Sequence, residues 1–534
     1  MGRLRFPRPY RRSPDQDAPR PARHPVVIGG GGPVGLALAA DLGIRGIPCV
    51  LVDGKGEFGE GSRGLCYAKR TLEILDRLGV GERAVEKGVT WQLGKVFHKE
   101  KLLYEFNLLP ESGHKMPAFI NLQQYYLEQF LYERCRELPS VDLRFQNRIV
   151  GLETAPDHAR LRLETPEGAY ELEAGYLIAC DGSRSTVRQL LGLSFEGREF
   201  EDRFLIADIR MPADYPAERW FWFDPPFNPG QSALLHKQPD DIWRIDLQLG
   251  SDADPTEERK PERVRPRLEA MLGKDRPFEL EWVSVYSFHC RRLETFLHGP
   301  VIFAGDSAHL VSPFGARGFN SGVQDIDNLA WKLDAVLEGR APAALLSTYA
   351  SEREVAADEN ILNSTRSTDF ITPKSHASRT IRNAALSLAS EVPFARALIN
   401  SGRLSMPTVY DTPLSTPDTD HFGGAARLGG PLPDAPLRRA DGSSGWLLDE
   451  IGSRFTLLYV GDEPPCAPPA GVRLVRIGGD VVDEQGLFEQ RFDARPGSAY
   501  LVRPDQHLCA RFRQIEARAL DAAIGRALGW ELQR

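Results

Sequence analysis

The chain has 534 residues, 42% of them hydrophobic and 26% charged, which is enough for two to four domains with sizeable cores. A formal net charge of -8 and a pI near 5.9 argue against a broad nucleic-acid-binding surface, and no apolar run approaches the ~20 residues that a membrane span requires. Seven scattered cysteines, with no CxxC pair and no His/Cys cluster of metal spacing, exclude a disulfide framework and a metal centre and point to a reduced, cytoplasmic protein.

Residues 1–24 are rich in Arg and Pro, lack an apolar core or cleavage site, and read as a flexible or surface-wrapped arm. Val26-Val27-Ile28 then forms a buried strand, Gly29 to Gly35 reads GGGGPVG, and a helix runs over Leu36–Leu42. Gly30, Gly32 and Gly35 fit G-x-G-x-x-G, which combines a tight turn, close backbone approach to a pyrophosphate and close helix–strand packing. A second strand, Pro48 to Val52, ends in Asp53, placed for a ribose hydroxyl. Strand, glycine loop, helix and acidic residue together mark a dinucleotide site. Ser62-Arg63 precedes a helix, RTLEILDRLG, and Gln124 lies in a second helical stretch, NLQQYYLEQFL; taken singly, both read as amphipathic surface helices. Tyr176 to Arg188, YLIACDGSRSTVR, supplies another buried strand, an Asp181-Gly182 turn and a helix start.

Residues 196–284 change character to strands alternating with turns, rich in Trp220, Trp222, Phe223, Trp243 and Tyr286. Period-2 spacing places Trp220 and Trp222 on one face. Val301 to Ala304 is a buried strand ending at Gly305-Asp306, followed by a loop with Pro313, Gly315 and Gly318. Asn320 or Ser321 can cap the next helix, whose N-terminus favours an anion above the loop. Asp306 can hold a sugar-like hydroxyl, and the loop glycines admit a flat, electron-accepting ring. Helices continue over 326–405, Pro and Gly mark a linker at 408–440, and strands with a final amphipathic helix complete the chain.

In this order and spacing, the glycine loop, the Asp181-Gly182 turn and the Gly305-Asp306 strand end resemble the flavoprotein aromatic hydroxylases, the single-component FAD monooxygenases, over residues 25–410. The likeness is greatest to the 3-(3-hydroxyphenyl)propionate hydroxylase and phenol hydroxylase branch. Departures are Asp53 for Glu, Gly64 for Ala, and Ser312 before a single Pro313. The resemblance implies an α/β fold: a discontinuous Rossmann-like FAD-binding domain (25–195 plus 285–345) with an inserted antiparallel β-sheet substrate domain (196–284). A helical segment (346–407), a linker (408–440) and a C-terminal thioredoxin-like α/β domain (441–534) follow. Lacking CxxC, that tail cannot do dithiol chemistry; it is expected to be dispensable for the reaction and to serve stability or association, as in a homodimer.

FAD is implied at Gly30, Gly32, Pro33, Val34, Gly35 and Asp53, at Arg63 and Gln124, at Asp181, Gly182 and Arg188, and at Gly305, Asp306, Pro313, Gly315, Gly318, Phe319 and Asn320; no metal is implied. The implied reaction uses NADPH or NADH and O2 to hydroxylate a small phenolic substrate through a flavin C4a-hydroperoxide. His236, Tyr286 and Tyr67 are candidate bases, Arg244 a candidate anchor for phenolate or carboxylate, and Pro313 a residue of the flavin face. Trp222 or Trp243 would wall the pocket, and His309 is read as structural. A flavin oxidoreductase that does not activate oxygen and a non-catalytic FAD-binding protein are the alternatives. WFWFDP is similar to the WxWxIP of flavin-dependent halogenases, but Asp224 replaces the isoleucine and no convincing counterpart of that family's catalytic lysine is present, so that reading is set aside.

Overall fold

The computed structural model describes residues 7–58, 64–399 and 404–533. Its first sheet runs Leu297–His298, Val301–Phe303, Gly168–Ala179, Ala22–Gly29, Cys49–Asp53 and Val141–Phe145, with the five strands from Val301–Phe303 onward parallel. The central Val, Ile and Leu runs are buried on both faces, as a parallel sheet covered by helices requires. Parallel order places the carboxyl ends Gly29, Asp53, Ala179 and Phe303 along one edge of the sheet. Each of the three glycine and Asp motifs begins there, where α/β sheets bind ligands.

From residue 7 the N-terminal segment lies against this domain. Arg8 is 2% exposed; it donates to the Gly31 carbonyl at 2.7 Å and to Glu128 at 3.2 Å. Its guanidinium covers the Phe58 ring at 3.7 Å. A four-residue 3₁₀ turn, Pro14–Asp17, capped by Ser13, follows before the first strand. Arg8→Met leaves Glu128 buried without its cation, so a loss of about 3 kcal/mol is expected in chemical denaturation.

The second sheet runs His309–Leu310, Glu279–Arg292, Glu196–Arg210, Ile242–Leu249, Ser232–Lys237, Arg219–Phe223, Leu93–His98 and Lys101–Asn107. The inserted segment is antiparallel, but the hairpin at 93–107 joins it from earlier in the chain through a parallel pairing with Arg219–Phe223. One face of this roof carries Phe204, Phe221, Phe223, Leu234 and Phe288, packed with Phe314 of the loop after the third motif. The other carries Leu235, Trp243, Ile245 and Leu247 with Trp220 and Trp222 against them, covered by the helix Pro261–Leu272 through Val264 and Leu268. The tryptophans expected as pocket walls therefore pack away from the flavin motifs. Trp243 and Arg244, adjacent on a strand, necessarily face opposite ways.

The tail forms a seven-stranded thioredoxin-like sheet, in which Thr456–Val460 pairs parallel with Arg473–Ile477 and antiparallel with Ala499–Val502. The turn between Ala499–Val502 and Leu508–Phe512 enters the polar layer under the first domain. Arg503 is 1% exposed and paired with Glu352 at 2.9 and 3.1 Å. Arg70 donates to the Gln506 side chain at 2.7 Å and to the Asp505 carbonyl at 2.8 Å. Trp331 donates to Asp505, and Lys332, Asn328 and Thr412 converge on Glu352. Among the described residues, no helix is long and apolar enough to cross a membrane, and no group of three His, Cys, Asp or Glu side chains could hold a metal ion.

Candidate active site

The first half of the site is the edge where the three motifs meet. Gly30 has φ +112, and a Cβ there would lie 2.5 Å from the Cys180 carbonyl oxygen, so the turn itself demands glycine. A Cβ at Gly35 would collide with the Gly30 carbonyl, which sets how closely helix and strand approach. Gly32 differs: its φ of -76 is open to any residue, and a Cβ would meet nothing within 4 Å. No contact within the protein requires glycine there; the space faces the N-terminus of Pro33–Ile44, whose first-turn N–H groups at Val34 and Gly35 have no intrahelical acceptor. Open space before a helix N-terminus is suited to an anion.

Asp53 accepts from Gly31 N–H at 2.6 Å and Lys55 N–H at 2.7 Å, holding the glycine loop while remaining partly exposed. Gln124 accepts from Gly64 N–H at 2.9 Å and donates to Glu128 at 2.7 Å, next to the Arg8 pair. Arg63 lies outside the described residues. Asp181 accepts from Val187 N–H at 3.0 Å. Its other oxygen is buried without a partner, and burial raises the carboxyl above its ordinary range. Gly182 has φ +81. Arg188 donates to the carbonyls of Ser183 and Ser307, joining the second motif to the third.

At the third motif Asp325 organises the backbone. It accepts from Gly305 N–H at 2.9 Å, His309 at 2.8 Å and Arg353 at 2.7 Å. Burial opposes its ionisation, but His309 and then Arg353 hold the carboxyl down at about 2. Asp306 and Pro313 are exposed on this edge. Ala316 sits at φ +52, a left-handed conformation unusual for alanine, beside Gly315. The helix begins at Gly318, with Arg317 at its cap position, earlier than an Asn320 or Ser321 cap would allow. Asn320 instead turns its side chain outward from the helix: Oδ1 accepts from Ala68 N–H and Nδ2 donates to the Cys66 carbonyl, each at 2.9 Å. Phe319 meets Tyr67 edge-on at 5.1 Å. Tyr67 is buried and its hydroxyl reaches the Gly64 carbonyl at 3.4 Å; burial lifts its pKa well above 10.

The second half is the roof face above that helix. Phe204 and Phe288 contact Phe314 at 5.0 and 5.4 Å, and His236 lies 6.3 Å from Trp91 of the small sheet Cys66–Ala68, Phe119–Asn121, Val89–Trp91. Asn121 accepts from Trp91 Nε1 and Cys66 Sγ. Register places His236 beside Arg244, Arg244 beside Asp208, and Asp208 beside Trp282. Tyr286 is on the same face, partly buried, near Trp282. Arg244 is bound bidentately by Asp208, with both bonds at 2.8 Å. His236 is 3% exposed; burial first, then Arg219 and Arg244, hold its pKa well below 6.5, and Nδ1 has no partner.

Two residues of this face escaped the sequence reading, Arg219 and Asp246. Arg219 precedes Trp220, which pairs with Leu235, so it falls beside His236 in the same row. It is 8% exposed; among the described residues it makes no hydrogen bond or close ion pair, and the charges acting on it are Cys66 and Asp246. Asp246 is one row on, and its Oδ1 is buried without a partner. The available signal was period 2: Arg244 and Asp246 alternate with the apolar face of one strand.

A model of the FAD binding domain family matches residues 23–364. The chain is 30% identical over 500 residues to the 12-dehydrotetracycline 5-monooxygenase/anhydrotetracycline 6-monooxygenase of Streptomyces rimosus subsp. rimosus, covering 91% of this chain and 95% of that protein. It is 28% identical to a 3-(3-hydroxy-phenyl)propionate/3-hydroxycinnamic acid hydroxylase of a Mycobacterium species, covering 90% and 88% respectively. Among solved structures, the flavin-dependent monooxygenase PieE, in complex with FAD and substrate, superposes with a TM-score of 0.81 at 24% identity, covering 95% of this chain and all of that one.

Proposed function

The chain belongs to the FAD binding domain family, and from that premise we propose that it is a FAD-dependent monooxygenase that hydroxylates a phenolic aromatic compound. The observation that carries the cofactor is the space at Gly32 before a helix N-terminus, with the unpartnered Asp181 oxygen on the same edge. Gly30, Gly32, Pro33, Val34, Gly35 and Asp53 would hold the adenosine and pyrophosphate end. Gln124, Asp181 and Gly182 would carry the middle, and Gly305, Asp306, Pro313, Gly315, Gly318, Phe319 and Asn320 the ring end. FAD, when bound, supplies the passage of electrons from a reduced nicotinamide to O2 and of one oxygen atom to the ring.

The protein's part is to position, to exclude water and to move a proton. A flat ring would lie against the face that carries Phe204, Phe288 and Phe314, with Tyr286 beside Phe204 and the His236–Arg244 row further along the same face. Arg244 acts through the carboxylate of Asp208, which it already binds. Tyr67, with a raised pKa, holds its proton and braces Phe319. The hydride donor, NADPH or NADH, would use a surface near Asp181 and Arg188, and the protein would act in the cytoplasm. Residues 196–284 would form the substrate domain, inserted between 25–195 and 285–345.

A panel of phenols and phenolic acids should stimulate NAD(P)H oxidation by the FAD-loaded protein, with matching O2 consumption and a catechol or hydroquinone product. Stimulated oxidation of NAD(P)H without O2 uptake would instead identify an oxidoreductase, and no stimulation by any phenol would leave only a flavin-binding protein.

A further inference from the structure

The roof face carries more charge than its own partners satisfy. Arg244 is neutralised by Asp208, and His236 is held neutral by burial and by the two arginines beside it. What remains is one buried cation, Arg219, with no partner among the described residues, and one carboxylate, Asp246, with an oxygen buried and unbonded. A buried guanidinium without a hydrogen bond and a buried carboxylate oxygen without a donor both cost stability unless a ligand completes them. We propose that Arg219 and Asp246 together form the anchor for an ionisable aromatic hydroxyl, and that this anchor selects phenols over carboxylates.

The proposal rests on the hydroxylase reading and deepens it. A hydroxyl is donor and acceptor at once: it can give its proton towards Asp246 Oδ1 and accept from the Arg219 guanidinium. When it reacts, the ring O–H bond breaks and its proton forms the O–H bond on Asp246. The electron pair stays on the ring oxygen, which faces Arg219 and enriches the ortho and para carbons. Charge then closes, with a neutral carboxylic acid and a phenolate–guanidinium pair. A carboxylate ligand brings no proton, so it would set two anions against one cation in a buried space.

The charged and titratable groups acting on Asp246 are Arg244, Asp208, Arg219 and Cys66, with His236 paired beside Arg244 on the same face. Burial raises the Asp246 carboxyl to about 6, with Asp208 pushing the same way and Arg244 and Arg219 opposing. Near neutral pH it is therefore ionised in the empty site and within reach of accepting a proton. Below about pH 6 it becomes protonated and can no longer accept, so turnover should fall on that limb.

The test uses the FAD-loaded protein and reads quenching of flavin fluorescence by 1-naphthol, 1-methoxynaphthalene and 3-(3-hydroxyphenyl)propanoate. Wild-type protein should bind 1-naphthol at least ~10-fold more tightly than either of the others, because the ether cannot donate and the acid adds a charge. Arg219→Met and Asp246→Asn should each erase that preference, and Asp246→Asn should remove the limb near pH 6. Asp246→Asn should leave the thermal midpoint of the ligand-free holoprotein unchanged or raise it by roughly 1–3 °C, since it removes a buried charge with an unbonded oxygen. Tighter binding of the carboxylate, no discrimination by the wild type, no quenching by 1-naphthol, or a fall in midpoint with preference intact would each overturn the proposal. Failure of the hydroxylase reading would look different: selective 1-naphthol binding without O2 uptake.

Discussion

Gly32→Val should give a folded, colourless protein. The residue has ordinary extended backbone at φ -76, and a Cβ meets no atom within 4 Å, so the variant apoprotein should melt within a few degrees of wild-type apoprotein. The branched side chain would instead fill the space before the helix Pro33–Ile44 where the proposed pyrophosphate would approach backbone N–H groups. Loss of at least ~100-fold in FAD affinity is expected, about 2.7 kcal/mol, measured by flavin titration. Gly30→Ala provides the contrast. There the added carbon lies 2.5 Å from the Cys180 carbonyl oxygen at a left-handed φ, so apoprotein stability should drop as well. A Gly32→Val protein that purifies with full flavin would show that the cofactor lies elsewhere.

Removal of residues 441–534 should abolish folding rather than trim an accessory domain, because that segment supplies counter-ions to a buried layer. Without Arg503, Asp505 and Gln506, the Arg70 guanidinium loses two acceptors, the Gln506 side chain and the Asp505 carbonyl, and among the described residues Glu352 keeps Lys332 as its paired cation. Breaking one fully buried pair by removing a single partner costs about 3–5 kcal/mol, which is much of the stability of an ordinary domain. Arg503→Met isolates the effect and should lower the denaturant midpoint by a corresponding amount. The pH dependence follows from the same layer. Arg503 and Lys332 hold the Glu352 carboxyl far below its ordinary value against the opposing effect of burial, and His309 and Arg353 hold Asp325 at about 2. Both carboxyls are depressed on folding, so their contribution is fully present above their unfolded values near 4 and is lost as pH falls towards 2. Glu352→Gln should flatten the acid limb of stability measured between about pH 5 and 2. A truncated protein that folds, binds FAD and keeps its midpoint would refute this account.

The glycine motif at the sheet edge was legible because its determinants are local. A strand, a glycine turn, a helix and a terminal Asp53 occupy one continuous stretch, and the backbone strain at Gly30 is imposed by neighbours that the same motif brings together. The inserted strands were legible for the same reason, through period 2. That period also dictates that Trp243 and Arg244 cannot line one wall and that Arg244 and Asp246 share a face. Local periodicity does not say which face looks at the flavin motifs. That was decided by packing of Phe204 and Phe288 on Phe314, residues 110 and 26 positions from it in the chain. Nor could spacing reveal that Arg8 pairs with Glu128, or that Arg503 pairs with Glu352. A buried charge must find its opposite wherever the fold brings one within bonding distance, and that distance is set by the packed sheets, not by separation along the chain.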